Sequence, residues 1–442
     1  MKKALIITYY WPPSGGAGVQ RWLKFVKYLR NFGWEPIVYT PENPEIPVLD
    51  ESLKKNIPEG LTLLKTKIFE PYSFYKLFVG RKRDEKINTG FLSENKKPKF
   101  AEKISVWIRG NFFIPDARKF WINPSVKFLE NYLKKNKVDV IISTGPPHSM
   151  HLIALKLKTK FKIPWLADFR DPWTNIDFYG DLMLTKSANL KHHDLEKKVL
   201  MNADAIVTVG ETISKEFSSS FPEREKFIHT ITNGFDLEDV FVGKVELDKK
   251  FSLAHIGTLV QSRNNILLWR TLSEIEKENQ TFSEDLEIKL VGKVDFSVYE
   301  SIKKYGLEKF VKKIEYLPHN QVVKFQQQSQ VLLLLSNNTK NARGILTGKI
   351  FEYLSAKRPI LAIGDCNGDI AKILNETNAG RIADFEDADS LKNIILGYYR
   401  DFKNGNLICN SKGIEKFSRM ELTGQLAGLL ESLLGEFYRY SK

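Results

Sequence analysis

Cysteine is almost absent from this chain, with only Cys366 and Cys409 among 442 residues. The two lie far apart in the sequence, and neither has a partner at metal-ligand spacing. The sequence therefore argues against a disulfide-stabilised fold and against a zinc site. Because such sparse cysteine fits a reducing compartment, we expect a cytoplasmic protein.

Long apolar segments are also missing. No run approaches the roughly 18 consecutive apolar residues that a transmembrane helix needs, so we expect no helix to span a membrane. Near the N-terminus, Lys2 and Lys3 precede an apolar run over residues 4–7, which a polar and aromatic stretch from Thr8 to Pro13 interrupts. This run is too short for a signal peptide and predicts a first β-strand.

Acidic residues are in deficit, since 53 Asp and Glu stand against 67 Lys and Arg and leave a net charge of +14. Such an excess favours a polyanionic partner, which could be nucleic acid, an anionic membrane surface or a phosphorylated substrate. The charge alone does not choose among them. A soluble Lys-rich protein without a polyanionic partner is the alternative.

The length suits two domains of roughly 200 residues. Short apolar strands alternate with amphipathic helices, which is typical of parallel sheets wrapped by crossover helices. We therefore predict an α/β fold of two Rossmann-like domains with a cleft between them. A first series of strands is predicted at 3–8, 35–40, 61–65, 138–143, 164–169, 204–209 and 227–232. A second series is predicted at 251–256, 286–291, 313–316, 331–335, 359–363 and 380–383.

The break between the two series falls at about 233–250, where Asn233-Gly234-Phe235-Asp236 predicts a turn. This predicts an N-terminal domain over 1–240 and a C-terminal domain over 241–420. Residues 421–442 carry leucines at helical spacing, which predicts a final helix packed on a domain.

One segment, about 71–124, departs from the alternation. It interleaves basic residues such as Arg81, Lys97 and Lys103 with aromatic residues such as Phe74 and Phe112. A basic stretch with exposed aromatic rings can lie on a membrane interface, where the cations contact lipid phosphates. The alternative is an elaborated loop whose aromatic residues pack on their own domain.

The most informative stretch is 343–364, where a Gly-rich loop leads into a short helix carrying Glu352. Such a turn directs free backbone N–H groups and the positive end of a helix dipole toward a point where phosphate can bind. The spacing excludes a Walker loop, because Gly344 and Gly348 have three residues between them and Ile350 follows Lys349.

Loops after two N-terminal strands also carry candidate residues. Gly16 and Gly18 follow the first strand, but Arg21 stands where a dinucleotide fingerprint needs its third glycine. His148 follows the strand 138–143, at the sheet edge where ligands of α/β proteins bind. His151, one turn further along, is the weaker candidate.

A third loop holds Asp168, Arg170 and Asp171. These side chains could orient an acceptor hydroxyl or transfer a proton. They could equally form an internal ion pair that fixes the loop, and the sequence does not decide between the two.

The block at 343–364 resembles the C-terminal signature of family-4-type glycosyltransferases of GT-B architecture. Those enzymes move a sugar from a nucleotide diphosphate donor to an acceptor with retention at the anomeric carbon. The commonest signature has two Glu separated by seven residues, and here Glu352 is the second while Gly344 stands in place of the first. The resemblance implies that Glu352 holds the donor ribose, whereas the sugar contact of the first Glu does not carry over.

The resemblance also implies roles for the other loops. Gly16 and Gly18 would face the donor sugar and diphosphate, and His148 would contact the donor sugar. In the family, the first loop of the second domain has an Arg just after a Gly and a Lys several residues later. These two cations neutralise the donor diphosphate. Here Thr258 follows Gly257, and Arg263 stands near the Lys position.

Further expectations follow from the family. The loop at His319 would line the nucleobase pocket, and the last helix would cross back to the first domain. Arg263, Lys349 and the amides near Leu346 and Thr347 would stabilise the departing nucleoside diphosphate. We expect no cofactor and no metal ion, since no D-x-D-like pair stands at a strand end.

The expected partners are a UDP-sugar donor and a glycan or lipid-linked acceptor, with peripheral contact to an anionic membrane and no nucleic acid. Two alternatives stay open. One is a nucleotide-sugar epimerase of the same fold, and the other is a non-catalytic protein that binds a polyanion or a membrane.

Overall fold

The computed structural model describes residues 1–46, 49–70, 100–240, 243, 245–315, 317 and 319–440. The strands of these residues form two sheets in which every pairing is parallel. Six of the thirteen strands in these residues are buried along their whole length, as expected for parallel sheets covered on both faces. The predicted α/β fold of two Rossmann-like domains is confirmed.

The first sheet has the order β3-β2-β1-β4-β5-β6-β7. Its strands are β1 Lys2–Ile7, β2 Trp34–Pro41, β3 Thr62–Thr66, β4 Val140–Gly145, β5 Trp165–Phe169, β6 Ala205–Thr208 and β7 Ile228–Thr230. The described helices that accompany it are Ala17–Leu29, Phe100–Phe112, Ile122–Leu133, Ser149–Phe161, Lys186–Asn202, Glu211–Ser220 and Arg419–Tyr440.

The second sheet has the order β10-β9-β8-β11-β12-β13. Its strands are β8 Phe251–Ile256, β9 Leu286–Val291, β10 Val311–Ile314, β11 Val331–Leu335, β12 Ile360–Ile363 and β13 Gly380–Ala383. The described helices that accompany it are Ile266–Glu278, Gln280–Asp285, Phe296–Lys304, His319–Gln328, Lys349–Ala356, Asp369–Thr377 and Ala388–Lys403.

The chain divides into two compact units. Of the described residues, the first unit holds 1–70, 100–233 and 419–440, and the second holds 234–418. The last helix, Arg419–Tyr440, therefore belongs to the first unit, where Leu422, Leu426 and Leu430 pack in one core with Trp22 and Val26. The expectation that the final helix crosses back to the first domain is confirmed.

Part of the predicted basic aromatic segment, residues 71–99, lies outside the described residues. Its described part forms the helix Phe100–Phe112, a short turn at Lys119–Trp121 and the start of the helix Ile122–Leu133. No helix within the described ranges is long and apolar enough to cross a bilayer.

Candidate functional site

Each sheet has one switch point, where the strand order reverses beside the first strand of that sheet. In the first sheet this point lies between β1 and β4, and in the second sheet between β8 and β11. Ligands of open α/β sheets bind beyond the carboxyl ends of the strands at such a point. The loops that follow these four strands carry most of the predicted site residues.

In the second unit, Gly257 directly follows β8 and has a backbone conformation that residues with side chains rarely adopt, with φ at 104°. A Cβ atom at this position would lie 2.9 Å from Cε and 3.0 Å from Nζ of Lys349. Two independent features therefore require glycine at position 257. Its backbone has positive φ, and Lys349 occupies the space that a side chain would need. Gly257 and Lys349 meet at the switch point of the second sheet.

The Lys349 ammonium lies between two acceptors. Its Nζ is 3.1 Å from Nε2 of His255 and 3.3 Å from the carbonyl oxygen of Thr258. Burial lowers the pKa of Lys349 to about 7, and the neighbouring charge of Arg263 adds to this shift, whereas Glu352 opposes it. Two cations and one carboxylate thus converge at this edge of the sheet.

Arg263 lies on the short turn Gln261–Arg263, and its Nε donates to Oδ1 of Asn337 at 2.8 Å. Glu352 is exposed on the helix Lys349–Ala356, where Nε2 of Gln326 approaches its carboxylate at 3.5 Å. An exposed carboxylate one turn into this helix is free to accept hydrogen bonds from a ligand.

The start of the helix Lys349–Ala356 has no side-chain cap at Gly348. In the part of the chain that the structure describes, the amides of Leu346 and Thr347 donate to no acceptor, whereas the amide of Ile350 donates to Thr347 O at 3.3 Å. The backbone amides left without an acceptor are therefore in the loop just before the helix. Such amides can bind an anion.

His319 is the first residue of the helix His319–Gln328, and its side chain lies outside the described residues. Its role at a nucleobase stays a prediction. Across the described residues, no three His, Cys, Asp or Glu side chains group closely enough to hold a metal ion.

In the first unit, Gly16 precedes the helix Ala17–Leu29 with φ at 95°. A Cβ atom at Gly18 would lie 2.9 Å from Nη1 of Arg170 and 3.2 Å from the ring of Tyr10. Arg170 in turn donates to the carbonyl oxygens of Gly18 and Pro146. Arg170 therefore ties the loop after β1 to the loop after β4.

His148 is 7% exposed and lies flat on Trp173, with ring centroids 4.5 Å apart and an angle of 4° between the planes. Burial and the charge that His151 could carry hold the pKa of His148 well below its usual range. Its Nδ1 has no hydrogen-bond partner within the described residues. His148 is therefore a neutral imidazole, and its unpaired Nδ1 is buried.

Asp168 is fully buried and points away from solvent. Its carboxylate accepts from Arg21, from Nε1 of Trp22 at 2.7 Å and from Oγ1 of Thr144 at 2.8 Å. These bonds occupy both oxygens, which favours the internal ion pair over contact with an acceptor. The partner in this pair is Arg21, whereas Arg170 bonds to backbone oxygens and Asp171 is exposed.

The sequence did not predict the contacts of three residues at these sites. Arg21 was noted only for replacing a glycine, Trp173 was not recognised as the platform of His148, and His255 was not connected to Lys349. The signal for His255 was a single ionisable residue within the strand Phe251–Ile256. The partners of Arg21 and Trp173 had no local sequence signal.

Comparison with known proteins decides the family. Residues 15–239, more than half of the chain, match the sequence profile of Glycosyltransferase Family 4. The chain belongs to Glycosyltransferase Family 4. It is a glycosyltransferase, in agreement with the resemblance seen in its C-terminal half. No curated protein sequence matches this family-4 chain.

Solved structures share the fold of this glycosyltransferase. Anabaena HepE in complex with UDP-glucose has 13% identity and a TM-score of 0.63, with 98% of this chain and 100% of that chain covered. Sucrose-phosphate synthase from Thermosynechococcus elongatus has 13% identity and a TM-score of 0.59, covering 99% and 100%. At such identities the likeness shows the GT-B fold alone.

A protein from Listeria monocytogenes that is assigned as a UDP-N-acetylglucosamine 2-epimerase also has this fold. It has 10% identity and a TM-score of 0.56, with 99% of this chain and 98% of that chain covered. The fold therefore does not separate transferases from epimerases, whereas the family match favours the transferase.

Proposed function

We propose that this family-4 enzyme transfers a sugar from a UDP-sugar to a glycan or lipid-linked acceptor, with retention at the anomeric carbon and without a metal ion. The observation that carries the proposal is the meeting of Lys349 with Gly257 at the end of β8, beside Arg263. Two cations at a helix start and a strand end suit a pyrophosphate. The UDP-glucose bound to HepE supports the choice of donor.

In this proposal the leaving group is stabilised by charges that are already in position. Arg263, Lys349 and the amides of Leu346 and Thr347 would hold the departing diphosphate, and Glu352 would accept from the donor ribose. Groups arranged before the reaction stabilise the charge that develops on the leaving oxygen. The acceptor would attack from the face that the diphosphate leaves, so the protein supplies no nucleophile.

His148 would position the donor sugar. A neutral imidazole can donate to one sugar hydroxyl or accept from it without adding a charge beside the anomeric carbon. The stacking on Trp173 fixes the plane of the ring. Asp171, which is exposed, remains the candidate on the acceptor side, as the carboxylate of Asp168 is already occupied.

A thermal-shift screen of nucleotide sugars tests the donor. A ligand at 100 times its dissociation constant stabilises the folded state by about 2.7 kcal/mol. We expect UDP and UDP-sugars to raise the melting temperature more than GDP-, ADP- or CMP-sugars do. Absence of any shift with every nucleotide would contradict the proposal.

A second assay separates the transferase from the epimerase. The protein is incubated with a UDP-sugar that stabilises it, and the sugar is analysed without any acceptor present. A new sugar isomer would establish the epimerase, and we expect none. A non-catalytic protein that binds polyanions would bind heparin in a salt-sensitive manner and would gain no stability from UDP.

The acceptor proposal rests on an exposed aromatic surface in the first unit. This aromatic surface consists of the half-buried Phe113 and the exposed Phe69, Trp107, Phe112 and Phe120. Phe112 and Phe69 are 59% and 58% exposed. The ring centroids of Phe69 and Phe113 lie 5.9 and 6.1 Å from that of Phe120, and those of Trp107 and Phe112 lie 5.7 Å apart. Exposed rings in contact with one another are typical of an interaction site.

Basic residues accompany this surface. Nζ of Lys119 lies 5.5 and 5.1 Å from the ring centroids of Phe113 and Phe120, and it donates to the carbonyl oxygen of Phe112. Burial and the charge of Lys191 lower the pKa of Lys119. A phosphate beside the two lysines would relieve their repulsion, so the surface suits the anionic membrane that a lipid-linked acceptor occupies. The cytoplasmic face of a membrane is the proposed location.

Vesicle flotation tests the membrane contact. We expect the protein to float with vesicles of phosphatidylglycerol and phosphatidylcholine and to bind phosphatidylcholine alone more weakly. Phe112→Ser combined with Phe120→Ser should reduce flotation, whereas Phe296→Ser, at a 51% exposed position in the second unit, should not. Equal flotation of all three proteins would contradict the membrane contact and leave donor binding untouched.

A further inference from the structure

The contacts of His255 assign a single tautomer to its ring. Nδ1 of His255 is 3.2 Å from the carbonyl oxygen of Leu333, which can only accept, so Nδ1 carries the proton. Nε2 then has a lone pair, and it accepts from Nζ of Lys349 at 3.1 Å. His255 is 1% exposed, so its ring cannot turn toward solvent.

This arrangement leaves one donor of Lys349 unused. An ammonium group has three N–H donors and no acceptor. One donor reaches His255 and a second reaches the carbonyl oxygen of Thr258, which fixes the ammonium at the end of β8. The third donor is left for a ligand, and Gly257 provides the room because it has no side chain.

We propose that His255 is a positioning residue, which holds the Lys349 ammonium toward the donor pyrophosphate and makes donor affinity fall as the pH rises past neutrality. The inference rests on the proposed function, because it assumes that the pyrophosphate binds beside Lys349. His255 does not contact the donor in this scheme. It acts through the lysine.

The sign of the pH dependence follows from the groups that face Lys349. These are His255 on β8, Arg263 on the turn after β8 and Glu352 on the same helix as Lys349. Burial brings the pKa of Lys349 to about 7, and burial together with the lysine charge keeps the pKa of His255 well below its usual range. The pair therefore holds one positive charge below neutrality and loses it above. A bound pyrophosphate favours the charged form, so affinity is highest at low pH.

Calorimetric titration of the full chain with UDP-glucose between pH 6 and pH 8 tests the inference. UDP-glucose has no phosphate monoester, so its own charge is constant over this range. For the wild type we expect affinity to fall by up to about tenfold per pH unit above neutrality. Lys349→Arg keeps its charge throughout and should show a flat profile.

Two variants of His255 form a matched pair. His255→Gln can place its amide oxygen near the position of Nε2, so its pH profile should resemble that of the wild type. His255→Asn keeps a donor near Leu333 but lacks an acceptor that reaches Lys349, so its fall in affinity should begin at a lower pH. A merely structural role would shift both affinities without moving either profile, and such a result would overturn the inference.

A measurement without ligand keeps the two proposals separate. In protein labelled with ¹³C at lysine Cε, the resonance that Lys349→Arg removes should titrate with a midpoint near neutrality. His255→Asn should lower that midpoint, and an unchanged midpoint would overturn the inference even if UDP-glucose fails to bind. If the midpoint moves as expected while no UDP-sugar binds at any pH, the donor assignment fails and the coupling of His255 to Lys349 stands.

Should His255→Asn not fold, a wild-type resonance that does not titrate near neutrality would contradict the coupling.

Discussion

Arg21 and Asp168 form an ion pair in the interior of the first unit, with Nη2 of the arginine 2.8 Å from Oδ1 of the aspartate. Both side chains are 1% exposed. Arg21 also donates to the carbonyl oxygens of Ile231 and Thr232, so one guanidinium joins β5 to the segment after β7. Each charge is compensated only while the other is present.

Asp168→Ala should lower the free energy of unfolding by about 3–5 kcal/mol, because it leaves the Arg21 charge buried without its partner. Urea denaturation measures the loss. Asp181→Ala, at an exposed position on the short turn Tyr179–Leu182 of the same unit, is the control and should change stability by less than about 0.5 kcal/mol. An Asp168→Ala protein of normal stability that had lost transfer activity would instead show that Asp168 acts on the acceptor.

Glu352→Ala should weaken donor binding without unfolding the chain. The carboxylate is exposed, and removing hydrogen bonds to a charged group costs about 1.5–3 kcal/mol, which is roughly a tenfold to hundredfold rise in the dissociation constant. Calorimetry with UDP-glucose measures it. Glu300→Ala, at an exposed position on the helix Phe296–Lys304, should bind the donor like the wild type. Equal donor affinity in the two variants would rule out the ribose contact.

Gly257→Ala should impair both stability and donor binding. The new methyl group would require positive φ, at a cost of about 1–3 kcal/mol, and would displace Lys349 from the end of β8. Gly306→Ala has positive φ as well, but nothing lies within 4 Å of its added Cβ. This control should lose stability and keep its donor affinity. If Gly257→Ala binds UDP-glucose normally, Lys349 does not hold the pyrophosphate.

Acid should destabilise the first unit partly through His151. Burial lowers the pKa of His151 to about 3, whereas the unfolded chain has the usual value near 6.5. The folded state therefore binds fewer protons than the unfolded state below pH 6.5. The stabilisation is complete above that pH and is lost as the pH falls, by about 1.4 kcal/mol per unit.

His151→Phe keeps a ring against Phe169, whose centroid lies 4.6 Å from that of the imidazole, and removes the titrating group. Denaturation between pH 6 and pH 4 should show a shallower loss of stability than in the wild type. The same substitution at exposed His193 should leave the slope unchanged. A wild-type slope in His151→Phe would mean that other groups account for the acid sensitivity.

The sequence predicted the strands well, because each is a short apolar run between turns, and parallel strands that are buried on both faces need such runs. The predicted runs at 331–335 and 286–291 coincide with β11 and β9. The short helix that carries Glu352 was also predicted, and it is the helix Lys349–Ala356. The match to Glycosyltransferase Family 4 agrees with the resemblance drawn from that same block.

Local sequence therefore determined the strands, the helices and the loops in which the site residues lie. The tertiary structure alone decided which side chains meet: Arg21 with Asp168, 147 positions apart, and His255 with Lys349, 94 positions apart. A hydrogen bond depends on ångström distances that are set by sheet order and helix packing, and no periodicity in the chain encodes those distances. For the same reason the sequence left the role of Asp168 open, whereas its buried contacts favour the ion pair.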